Sequence, residues 1–185
     1  YLKLPEQGMI GIFNRSHYEN VLISKVHPEY VLAERVPGIE NLKHVNKSFW
    51  QQRYSQIRSF EETISETGTT ILKFFLHLSK DEQKKRFLER IDKKEKHWKF
   101  SSADIRERQS WEIYRKAYET AFEMTSTKVN PWYIIPADDK WFSQILVTEI
   151  IIQTLKSMKL TFPTVDHELR QRLEEARQLL VSEDE

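Results

Sequence analysis

Three short apolar segments constrain this chain more than any other feature: Met9-Ile10-Gly11-Ile12-Phe13, the stretch from Thr69 to Leu78, and Trp132-Tyr133-Ile134-Ile135. Each is bounded by turn-forming or capping residues and is followed by apolar positions spaced three and four apart. Short runs without polar alternation suit strands buried on both faces, and parallel strands need a crossover between them. The pattern predicts an α/β chain with a parallel sheet and helical crossovers. The helices fall at Ser16 to about Val26, at about 40 to 67 with Gly68 as its stop, and after Ser79-Lys80-Asp81-Glu82, a capping box. Others follow at about 102 to 124, at Trp141 to Met158 with an amphipathic pattern, and at 165 to 181.

Composition narrows the chemistry. The 185 residues include no cysteine, which removes disulfides, thiolate metal sites and cysteine nucleophiles together. Six histidines show no HxxxH or HExxH spacing, so a zinc site is not expected. With 29 basic against 28 acidic residues, a uniformly basic face for nucleic acid is not expected either. Only four glycines occur, at 8, 11, 38 and 68, and neither GxxxxGK[ST] nor GxGxxG can be drawn from them. No apolar run approaches the roughly 18 residues of a membrane span, and Tyr1 to Pro5 shows no leader pattern, so a soluble, cytoplasmic protein beginning in mid-sequence is expected.

Function in parallel sheets gathers at the carboxyl ends of strands. Here those ends are Asn14-Arg15-Ser16-His17-Tyr18-Glu19, His77-Leu78-Ser79 and Pro136-Ala137-Asp138. The first has the form of a Walker B strand, with Asn14 where an acid would hold a phosphate-bound Mg²⁺ and Glu19 as the nearby carboxylate. Arg15 suits phosphate, since its planar fork matches phosphate oxygens. The plainer alternative is a helix cap and turn. From Lys84 to Lys99 eight Lys or Arg face three acids in 16 residues, directly after the capped helix. Such a segment is either a mobile lid that brings charge over a transferring phosphoryl group or a solvated face. The stripe Trp111, Tyr114, Tyr118 and Phe122 has helical spacing and is expected in the core.

Several motifs in fixed order resemble the polyphosphate kinase 2 family, in the form of its AMP- and ADP-phosphorylating branch. They are Gly11 to Glu19 with Val21-Leu22 and Val26-His27, then Phe74 to Ser79 with Glu82-Gln83 and Arg86-Phe87. Trp98 to Ser101 with Asp104, Trp111, Tyr114, Ala117-Tyr118-Glu119, Thr125-Ser126-Thr127, Pro131 to Tyr133, Ile135 to Asp138 and Lys140-Trp141 continue the likeness, which covers about residues 5 to 157. The glycine-rich Walker A loop of that family has no counterpart, so the chain resembles the C-terminal part of such a kinase.

The resemblance implies a three-layer P-loop kinase-like parallel sheet with a helical lid at about 84 to 110, a core over residues 1 to 160 and a helical tail over 161 to 185. It implies transfer of the terminal phosphoryl group between inorganic polyphosphate and AMP or ADP, with little activity in this segment alone. Asn14, Arg15, Glu19 and Arg90 are the implied catalytic residues, and Asn14 and Glu19 the implied contacts to Mg²⁺, with Mn²⁺ as a substitute. Arg15, Lys25, Arg86, Arg90, Lys96 and Lys99 would bind phosphate, and Ala137 and Asp138 would neighbour the nucleotide. Adenine nucleotides are the implied acceptors, with guanine nucleotides as further candidates and a homo-oligomer as the assembly; nucleic acid and membrane are not expected partners. A different P-loop nucleotide kinase and a non-catalytic polyanion-binding fragment remain the alternatives.

Overall fold

The computed structural model describes residues 4–183 of the chain. Tyr1-Leu2-Lys3, on which part of the expectation about the chain's start rests, lie outside the described residues. The chain forms two compact units, Tyr1–Val147 and Thr148–Glu185.

The first unit contains α1 (Glu19–Val26), α2 (Glu29–Ala33), α3 (Lys47–Glu66), β1 (Lys73–His77), α4 (Lys80–Asp92), α5 (Ser102–Gln109), α6 (Trp111–Thr125) and β2 (Trp132–Pro136). Asn46 opens α3 by accepting the Phe49 amide at 3.1 Å. The helix closes with the Gly68 amide on the Ser65 carbonyl and the Thr69 amide on that of Ile64. Gly68 adopts φ +94°, which this Schellman closure requires and which a side chain would oppose. β1 and β2 pair in parallel, with Lys73 opposite Trp132 and His77 opposite Pro136.

The segment from Met9 to Phe13 is not a strand, contrary to expectation, and Ile12 is 91% exposed. Strand geometry is maintained by ladder hydrogen bonds, and among the described residues β1 and β2 supply theirs only to each other. The sheet is therefore two-stranded among the described residues, not three-stranded. The expected helix at about 102 to 124 is also divided, with Ser110 ending α5 and beginning α6. α5 carries Ile105 as its one large apolar residue, whereas α6 carries the aromatic stripe, so the two halves have different burial requirements.

The core lies between α1, α3 and α6, where Tyr18, Val21, Leu22, Tyr54, Ile57, Ala117 and Ala121 are buried. Ala117 and Ala121 permit α1 to approach α6 closely. The stripe lies at the margin of this core, with its four residues half-buried: Tyr118 packs against the core, and Tyr118 and Phe122 meet Phe75 of β1 at ring distances of 4.4 and 5.2 Å. Full burial of side chains such as Val21, Leu22 and Ile57 is worth about 1.5–3 kcal/mol each.

α7 (Lys140–Ser157) and α8 (His167–Ser182) complete the described helices. α7 is apolar around its circumference, not amphipathic as its sequence suggested, with Trp141, Phe142, Ile145 and Ile152 exposed. No helix of the described residues is long and apolar enough to cross a membrane.

Candidate functional site

The carboxyl ends of β1 and β2 meet in a closed corner. Parallel pairing brings His77 beside Pro136, and the ladder continues one step to the Ala137 amide on the His77 carbonyl at 2.9 Å. Asp138 Oδ1 accepts the Ser79 amide at 2.7 Å, while Ser79 Oγ accepts the Glu82 amide at 3.1 Å as the α4 cap. The capping box is thus half formed, because the Ser79 amide bonds Asp138 where Glu82 was expected. The Glu82 carboxylate instead accepts Arg86 Nε at 2.9 Å, and Arg86 Nη2 donates to the carbonyls of Ala137 and Asp138 at 2.9 and 3.0 Å. The Ser79 amide, with the hydroxyl and the Arg86 and His77 side chains, holds the Asp138 carboxyl below its usual value. Arg86, Ala137 and Asp138 are therefore committed to one another.

The Asn14–Glu19 corner is open. Arg15 is 79% exposed and meets Glu19, four residues on and the first residue of α1, at 3.4 Å. Asn14 is exposed and has no hydrogen bond among the described residues. Behind them the chain is anchored by His17 and Tyr18, whose contacts reach Glu61 and Lys73. Lys73 and Trp132, which meets the Tyr18 ring at 4.7 Å, are the first residues of β1 and β2. Tyr18 is thus fastened toward the amino ends of the strands, and among the described residues no hydrogen bond or ion pair joins Asn14, Arg15 or Glu19 to the closed corner.

The basic segment has internal partners. Lys93 and Lys96 both donate to Glu89 Oε1, at 2.6 and 2.7 Å, and their hydrogen bonds and charge hold the Glu89 carboxyl down to about 2. Arg90 lies 3.7 Å from Asp104, and Lys99 sits over the Trp98 ring at 4.8 Å. Lys25 lies apart from the lid, over the rings of Trp50 and Tyr54 at 5.5 and 5.4 Å, and burial pushes its pKa down. α5 is fastened by two adjacent residues of its last turn. Arg108 Nη1 donates to the Lys80 carbonyl at 2.8 Å, and Glu107 Oε2 accepts the Tyr114 hydroxyl at 2.7 Å and meets His27 Nε2 at 2.9 Å.

Sequence reasoning missed Glu61 and Lys73, which form a buried ion pair at 2.7 Å with side chains 2% and 5% exposed. Two signals were present: Lys73 interrupts the apolar run from Thr69 to Leu78, and Glu61 falls on the apolar spacing of Ile57 and Ile64. Burial pulls the Lys73 pKa down. For Glu61 burial acts upward, yet the hydrogen bonds of His17, Lys73 and Tyr18 and the Lys73 charge outweigh it and keep the carboxyl below its usual range.

Asn14 and Glu19 offer one amide and one carboxylate, and among the described residues no cluster of three His, Cys, Asp or Glu could form a metal cage. This donor set fits an ion such as Mg²⁺, which keeps several waters and takes most of its ligands from substrate phosphates.

The profile of the family Polyphosphate kinase 2 matches residues 1–163. An ADP-polyphosphate phosphotransferase of Rhodopseudomonas palustris is 51% identical over 96% of this chain and 61% of its own length. An AMP/ADP-polyphosphate phosphotransferase of Meiothermus ruber is 45% identical over 87% of this chain and 55% of its own length. The chain thus spans a little over half the length of these relatives. A crystal structure of polyphosphate kinase 2 from Arthrobacter aurescens TC1 superposes with a TM-score of 0.83 at 38% identity, over 98% of this chain and 57% of that one.

Proposed function

Because the chain belongs to the polyphosphate kinase 2 family, we propose that the intact protein moves the terminal phosphoryl group between inorganic polyphosphate and AMP or ADP. The observation that carries this is the family match over residues 1–163, joined by relatives named for that transfer. Guanine nucleotides as further acceptors, a homo-oligomeric assembly and action in the cytoplasm belong to the same proposal.

In the phosphorylating direction an acceptor phosphate oxygen attacks the terminal phosphorus of polyphosphate in line. The bond to the bridging oxygen breaks, and the shortened chain leaves with that oxygen's electron pair. Such transfer depends on positioning and charge neutralisation more than on covalent chemistry. Arg15, exposed beside Glu19, has the fork and the access to meet equatorial phosphate oxygens. Asn14 and Glu19 would hold a hydrated Mg²⁺, with Mn²⁺ as a substitute, which supplies charge neutralisation on the phosphates. Arg90, Lys96 and Lys99 would face the polyanion once their partners Asp104 and Glu89 and the Trp98 ring release them. Arg86, Ala137 and Asp138 would act by shaping the edge beside the nucleotide, since their polar groups are bonded within the closed corner.

A coupled assay of the intact protein with polyphosphate, Mg²⁺ and AMP, ADP or GDP tests the reading. Polyphosphate-dependent formation of the higher adenine nucleotide is expected, inhibited by salt as for other polyanion binders. Turnover with another phosphoryl donor and none with polyphosphate would contradict it.

A further inference from the structure

The buried cluster around Glu61 and Lys73 is more elaborate than packing needs. All three ammonium protons of Lys73 are engaged, by Glu61 Oε2 at 2.7 Å, the Thr125 carbonyl at 2.9 Å and the Tyr18 hydroxyl at 3.1 Å. The Tyr18 hydroxyl donates to Glu61 Oε1 at 2.8 Å, and His17 Nε2 lies 3.3 Å from that same oxygen. Trp132 Nε1 donates to Thr125 Oγ1 at 3.0 Å, so the cluster joins α3, β1, α6 and β2 to the two residues that immediately precede Glu19.

Taking two charges out of water is costly, and apolar replacements of similar volume are often neutral or stabilising. The cluster thus invites an explanation beyond stability. Its polar contacts converge on His17 and Tyr18, which connect an open corner to a rigid interior. Phosphoryl transfer is sensitive to ångström displacements of charged groups, and among the described residues Arg15 and Glu19 have only each other as ionic partners on the solvent side.

We propose that Glu61 and Lys73, acting through Tyr18 and His17, are positioning residues that fix the Asn14–Glu19 corner for phosphate and its divalent cation. The inference rests on the proposed phosphotransfer and adds residues that touch neither substrate nor metal. Tyr18 also carries the local fold, since its carbonyl accepts the amides of Val21 and Leu22 at 2.9 and 3.0 Å.

The test uses the intact protein with Tyr18→Phe, which keeps the ring and removes the hydroxyl, and with the paired replacement Glu61→Leu and Lys73→Met, which removes both charges together. Expected are a fall in kcat of about tenfold, a raised Mg²⁺ requirement and a polyphosphate KM within about twofold. Amide hydrogen exchange should quicken at residues 19 to 22 while the middle of α3 and β1 stays protected. Unchanged exchange at 19 to 22 in both variants, or exchange quickened throughout α3 and β1, would overturn the proposal whatever the kinetics. If the paired replacement does not fold, Tyr18→Phe decides alone. If the unaltered protein does not turn over polyphosphate, the proposed function fails and the exchange pattern still decides the positioning role.

Discussion

Two corners of this chain each present an arginine, and the two arginines are used in opposite ways. Arg86 is 23% exposed and donates to Glu82 and to the carbonyls of Ala137 and Asp138. Arg15 is 79% exposed with Glu19 as its ionic partner. A basic residue is an anchor where backbone carbonyls engage its guanidinium, and a ligand candidate where its fork faces solvent. The side chain is the same; the partners assign the role.

The two arginines should differ most in their effect on turnover. Arg15→Ala in the intact protein should lower kcat by about 10²-fold, as for other charged groups aimed at a transferring phosphate, and leave thermal stability within about 0.5 kcal/mol. Steady-state kinetics and a melting curve on one preparation check both. Arg86→Ala should show the reverse emphasis, with stability falling by about 2 kcal/mol because three oxygens lose a charged donor in a partly buried corner. Denaturant unfolding measures this, and an unaltered midpoint would remove Arg86 from the anchoring role.

The lid should give an intermediate result. Charge reversal at Lys96 and Lys99 should raise the polyphosphate KM several-fold and flatten its salt dependence, with stability little changed because exposed pairs contribute about 0–1 kcal/mol. Titrating polyphosphate at two salt concentrations checks it, and unaltered KM at both would make this stretch a solvated face.

The smallest effect concerns pH. The hydrogen bond to Glu107, with the Glu107 and Glu29 charges, raises the His27 pKa above its ordinary value. A raised folded-state pKa gives stability that is complete below the ordinary histidine value of roughly 6.5 and is lost as pH rises through the raised value. His27→Gln should therefore destabilise the protein more at about pH 6 than at about pH 8.5, by under roughly 1 kcal/mol for this partly exposed group. Equal losses at both pH values would remove the ionic contribution of the Glu107 contact.

Elements with a local cause were legible in the sequence. The Ser79 cap, the Gly68 stop and the aromatic stripe of α6 all follow from residues within one or two turns of each other. Met9 to Phe13 has the composition of a buried strand, but strand formation also needs a ladder partner, which local sequence does not encode. The site divides in the same manner. Arg15 and Glu19 were legible as a phosphate-binding fork and a carboxylate just after a strand-like run, whereas the fate of Arg86 depends on carbonyls 51 and 52 residues away. The Glu61–Lys73 pair was the hardest to see, since two opposite charges 12 residues apart in different elements identify each other only after α3 and β1 have packed.

On the proposed function, phosphate and cation gather at the open corner while the closed corner holds the sheet edge. Mn²⁺ and polyphosphate added to the isotopically labelled intact protein test it most directly, through paramagnetic broadening of backbone amide signals. The strongest broadening is expected at residues 14 to 19, reduced in Asn14→Ala and Glu19→Gln variants. Broadening strongest at Ser79 and Asp138, with 14 to 19 unaffected, would contradict it.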